Sequence, residues 1–212
     1  MTATFAIPAT TFVLRHILQQ RLNAAYGALT APTVSVEPLP RPQSNTPANP
    51  ANAQPEAPGL YLFMYLAGPN PSWRNMYEPH MDSSGAPTGP APLAVDLHYM
   101  LAATGAGLDR EALLGIGMAT LTRNALLPRP MIQAILTSFS VPPVPTELMQ
   151  RLPGEPLFDK ASQPEQIKLS QTQADPDLAT KLWSSLQSPL RPSAFFLATT
   201  IFLDFGDSFP EP

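Results

Sequence analysis

Asp96 and His98 are the residues best placed by type and spacing to do chemistry. A carboxylate beside an imidazole is the base half of a hydrolytic site, and it needs a nucleophile or substrate group within hydrogen-bond reach. The pair lies in APLAVDLHYMLAA, residues 91–103, where Leu93, Val95, Leu97, Tyr99 and Leu101 alternate with it. Period-two alternation predicts a half-buried strand, and residues two apart on a strand project from one face. The pair is therefore a catalytic dyad, a subunit contact or a hydrogen-bonded structural pair. The chain has no cysteine and no G-x-S-x-G elbow, so a hydrolase would have to use a serine such as Ser72 or Ser193. The balance of chemistry falls on a structural or interface pair.

The other candidates for chemistry are weaker. His16, His80 and His98 show no i, i+2 or i, i+4 spacing to one another, and no H-E-x-x-H occurs, so no metal site is expected. Gly105–Ala106–Gly107 and Gly115–Ile116–Gly117 have neither dinucleotide-loop nor P-loop spacing. The second pair falls in a helical pattern, where small residues permit close packing. No cofactor is expected.

Composition points the same way. Of 212 residues, 13% are charged, against about 25% in an average globular chain, and 28 are proline. So few charges suggest surface meant to be covered by other subunits. A net charge of −4 without a Lys/Arg cluster argues against nucleic acid, where a basic stripe supplies most of the affinity. The N-terminus makes a poor secretory signal, with Arg15 and His16 inside its apolar run. No stretch of about 18 apolar residues predicts a membrane span. A soluble protein made in the cytoplasm is expected.

These residues must be held by a scaffold, and the chain supplies one. Residues 9–26 predict an amphipathic helix on Leu14, Ile17, Leu18, Leu22 and Ala25, stopped by Gly27. A short strand follows at 33–37. Residues 38–59 carry seven prolines, which exclude a helix or central strand and predict an extended arm. LYLFMYLA, residues 60–67, is apolar on both faces and predicts a buried central strand. A Gly/Pro/Ser loop is expected over 79–92. Asp109 is the expected cap of a helix to about 126, with a short helix over 131–139. Residues 140–164 form a second proline-rich excursion before a strand at 167–170. Asp175–Pro176–Asp177 predicts a helix start, and residues 193–205 predict a last central strand. The expected fold class is α/β (α+β), a single domain over 1–212 with a small mixed sheet of about five strands flanked by three to four helices.

Two tryptophans and one arginine complete the candidates. Trp183 fits the core beside Leu182. Trp73, in a turn-rich loop with Arg74 and Asn75, suits an interface anchor. Arg191 stands in a turn before the last strand.

The order of these segments resembles a known family. LYLFMYLA, N-P-x-W-R-N, P-L-A-V-D-L-H-Y-M-L-A-A, L-L-G-I-G-M, L-W-S-S-L-Q and R-P-S-A-F-F resemble the N-terminal module of the cap, or tail-terminator, proteins of extracellular contractile injection systems. The resemblance covers essentially the whole chain and contains no catalytic motif. It implies a phage tail-terminator-like fold and a structural role. It also implies a homohexameric ring that ends the inner tube and the last sheath ring of an assembled phage tail-like particle. Trp73, Arg74, Asn75, Asp96, His98 and Arg191 are then the expected subunit or partner contacts. The alternative is a small-ligand or peptide-binding adaptor that uses the Asp96/His98 face. A hydrolase built on the same pair is a third reading.

Overall fold

A computed structural model describes residues 3–40, 55–73, 79–81, 83–139, 149–173 and 175–206. The frame is a five-stranded mixed sheet in the order β1-β2-β5-β7-β6. Its members are β1 (Val34–Ser35), β2 (Gly59–Pro69), β5 (Leu93–Thr104), β6 (Lys168–Thr172) and β7 (Ser193–Leu203). β1 runs parallel to β2, and the other three pairings are antiparallel. A separate hairpin, β3 (His80–Met81) with β4 (Pro87–Gly89), stands where a plain loop is expected.

Three helices cover one face: α1 (Ala6–Tyr26), α2 (Asp109–Arg123) and α3 (Arg129–Thr137). α1 buries Val13, Leu14, Ile17, Leu18 and Leu22 against Leu60, Leu62, Leu97, Tyr99 and Leu101 of the sheet. The helical spacing of one row meets the period-two row of the strands, and this makes the main core. Ala25, expected on that face, is exposed. Gly27 ends α1 with φ +58°, a conformation that glycine adopts at no steric cost. On α2, a Cβ at Gly117 would stand 2.9 Å from Leu101 Cδ2 and 3.2 Å from Leu60 Cδ2. The glycine is there to let the helix lie on the sheet. Gly115 meets no such neighbour.

The opposite face carries a smaller cluster. Met100, Ala102 and Phe195 pack with Leu39 and with Trp183 of α4 (Pro176–Leu186). Asp175 caps α4 as its sequence predicts, its carboxylate accepting from the Asp177 amide. The leucine row of α4 only partly reaches the sheet: Leu182 and Leu186 are half-buried, and Leu178 is exposed.

Several expectations need correction. Asp109 does not cap α2. It is the first helical residue, the capping position is Leu108, and Asp109 acts with Glu111 as an acid in the first turn. α2 stops at Arg123, because Leu126 bridges to Lys168 and Leu127 donates to the Ile167 carbonyl. β2 is not central along its length: β1 pairs only with Leu60 and Tyr61. Within the expected excursion over 140–164, Met149–Gly154 forms a 3-10 helix, and residues 140–148 lie outside the described residues. Residues 41–54 of the proline-rich arm also lie outside them.

Candidate interaction surface at the Asn70 corner

Asp96 and His98 do share a face of β5, the face of Met100 and Ala102, while Leu97 and Tyr99 are fully buried on the other. Their environments separate them. The Asp96 carboxylate accepts from Asn70 Nδ2 at 2.8 Å. The His98 ring lies 5.9 Å from the ring of Tyr65, which makes an edge contact with Phe195. The pair is not assembled as a dyad.

Strand irregularities shape this corner. Val95 pairs with Ile201 and Leu97 with Ala198, so Asp96 alone faces both Thr199 and Thr200. A bulge of this kind bends the strand and re-aims its side chains. Thr200 Oγ1 is thereby brought 3.1 Å from Asn70 Nδ2. A second shift lies between Met64 and Leu66, which leaves Tyr65 as the extra residue beside His98.

Asn70 is the organising residue, and sequence reasoning passed over it. Its amide group donates to Asp96 and Thr200, while its Oδ1 accepts from the backbone of Ser72 and Trp73 at 2.9 and 3.0 Å. Asparagine mimics a backbone turn in this way, and the Asn70-Pro71-Ser72 run carried the signal. Trp73 is then held edge-on to Phe202, with ring centroids 5.3 Å apart. Asn70, Ser72, Trp73 and Thr200, with Glu165 and Lys168, line a small polar cleft of about 180 Å³. Arg74 and Asn75 lie outside the described residues.

Arg191 belongs to the other end of the sheet, where Ser193 pairs with Ala102. It is buried and directs its guanidinium inward. Nε and Nη2 donate to Glu56 Oε1, and Nη1 donates to Ser188 Oγ. Glu56 Oε2 accepts from the Gly105 amide, and Ser188 Oγ donates to the Pro40 carbonyl. Burial alone would raise the Glu56 carboxyl, but hydrogen bonds from Arg191 and Gly105 and the charge of Arg191 outweigh it and hold it below its ordinary value. Ser193, at this same end, is remote from Asp96 and His98 along β5, so it cannot complete a triad with them. Among the described residues, no group of His, Cys, Asp and Glu could hold a metal ion. No helix among them is long and apolar enough to cross a membrane.

The corner is polar: a pinned turn, one indole and a carboxylate already in use. A family model described as the Pvc16 N-terminal domain matches residues 9–212. The chain belongs to this family. Comparison with curated proteins gives no match. Among solved structures, the sheath/tube terminator of an extracellular contractile injection system, PVC, in its extended state, shares the fold. Its TM-score is 0.56 at 12% identity, over 95% of this chain and 57% of that one. The anti-feeding prophage cap, a tube-terminating cap, gives 0.49 at 12% identity, over 91% of this chain and 54% of that one. The chain thus spans little more than half the length of the structures it matches.

Proposed function

We propose that this chain is the folded module of a cap that terminates the inner tube and sheath of a contractile injection particle, and that it acts without catalysis. The observation that carries the reading is the fold shared over 95% of the chain with a sheath/tube terminator, in a chain of the Pvc16 N-terminal domain family. The site supports it. Asp96 and His98 are engaged separately, and Asn70 has all four of its hydrogen bonds made within the chain. Groups that satisfy one another are suited to holding a surface in shape rather than to turning over a substrate.

The partners under this reading are the tube and sheath proteins and further copies of this chain, six in the ring that the resemblance implies. Trp73, Asp96 and His98 lie at the corner that would meet a neighbour, whereas Arg191 stabilises the subunit from within. The test is to let the tube and sheath proteins of the particle polymerise with increasing amounts of the purified chain, and to measure lengths by electron microscopy with gold-labelled chain. Shorter, uniform assemblies labelled at one end are expected. Label along the shaft, or lengths that do not respond, would overturn the proposal.

A further inference from the structure

Among the described residues, one edge of the sheet is left unpaired beside an apolar groove. β1 pairs with β2 through Leu60 and Tyr61 only, and then the chain turns away at Val36. Among the described residues no strand lies beside β2 from Leu62 onward on that side. A strand paired on one side only presents alternate backbone N–H and C=O groups outward, as a template for another chain. Here the template is short, because the bulge at Tyr65 turns the strand after Met64.

Beside this edge, between it and α1, runs a groove of about 530 Å³. Phe12, Val36, Phe63, Met64 and Leu152 supply an apolar lining, and Arg15 is its one charged residue. Arg15 is held in place, with Nε donating to the Val34 carbonyl at 3.0 Å. No carboxylate among the described residues pairs with it. Burial first, and then the positive charge of Arg15, depress the neighbouring His16 imidazole. A fixed guanidinium at the end of an apolar slot is complementary to a carboxylate.

We propose that the groove between α1 and the free edge of β2 accepts a short extended segment of another protein chain, apolar at alternate positions and carrying a carboxylate that lies on Arg15. The segment continues the sheet where β1 stops, taking up the outward backbone groups of residues 62–64. Main-chain hydrogen bonds supply affinity, and the pockets for alternate side chains supply selectivity.

The test is a selection from a random dodecapeptide display library against the intact chain, followed by titration of the enriched peptides. Enriched sequences are expected to alternate apolar residues and to place an Asp or Glu at one fixed position. Arg15→Glu should weaken them by about tenfold or more, the loss of a charge-assisted hydrogen bond. Val36→Trp, at the groove mouth, should also abolish binding and serves if Arg15→Glu fails to fold. Bound peptide should slow hydrogen exchange over residues 62–64. Failure to enrich saturable binders, binding indifferent to both variants, or exchange at β2 already slow in the free chain would each overturn the proposal.

Discussion

At the scale of single residues, Glu155 is the most consequential group that pattern reading did not mark. α1 has no side-chain cap of its own, and its capping residue Phe5 donates its amide to Glu155 Oε2 at 3.1 Å, across 150 positions of sequence. The carboxyl is buried, its Oε1 has no hydrogen-bond partner among the described residues, and burial pushes its pKa up to about 7 despite the Phe5 amide. The folded chain therefore keeps a proton that the unfolded chain releases near 4.5. Stability from this group is full below about 4.5 and is lost as pH rises through about 7, by up to about 3 kcal/mol. Melting temperatures of the native chain and of Glu155→Gln at pH 5 and pH 8 check this. The native chain should lose more stability than the variant on going to pH 8. Equal losses would show that Glu155 is ionised at both values. Nothing in the sequence near Glu155 pointed to Phe5, because a contact across that separation is set by tertiary packing alone. Asn70 differs, since its role was legible in the turn residues beside it.

At the scale of elements, periodicity carried most of the information. The alternation around Asp96, the leucine spacing of α1 and the Asp175-Pro176 start all correspond to elements in the structure. Where pairing decides, periodicity was silent. An apolar run such as residues 60–67 does not state how many of its residues gain a neighbour, so the end of the β1 pairing at Tyr61 was invisible. The contacts that close the arm were equally hidden. Pro40 and Glu56, on either side of the proline-rich stretch, meet one turn: the Ser188 hydroxyl donates to the Pro40 carbonyl, and Arg191 donates to Glu56. Replacing Arg191 with methionine keeps much of the apolar stem but removes the donor to Glu56 Oε1 and to Ser188 Oγ. A loss of about 2 kcal/mol is expected, from hydrogen bonds to a charged group. Exchange should quicken over residues 55–59 while β6 is unaffected. Uniform quickening across the sheet would mean that Arg191 holds the whole fold rather than this clamp. Glu56 is held below its ordinary value, so the clamp is complete above the usual carboxylate range and weakens as pH falls through the lowered value.

At the scale of the molecule, two pairs of exposed apolar residues stand at opposite ends of the sheet. Leu108 follows the end of β5 and Leu190 precedes the start of β7, and these strand ends are neighbours in register. Leu93 and Phe205 stand at the other end, where Leu93 pairs with Leu203 and Phe205 follows it by two residues. A closed ring requires two different patches, because each subunit meets its neighbours head to tail, whereas a two-fold dimer uses one patch twice. The two readings are separable with charge substitutions at one end or the other. In a head-to-tail assembly Leu190→Glu and Leu93→Glu each abolish association alone, since every contact needs both ends intact. Mixing the two variants restores one contact per pair, between the intact end of each, and the assembly stops at a heterodimer. In a two-fold dimer one of the variants associates normally and mixing rescues nothing. Native mass spectrometry of the two variants, separately and mixed, reads the outcome directly. The head-to-tail pattern is expected, because a charge-poor chain with apolar residues at both ends of one sheet has the two unlike surfaces that a ring subunit needs.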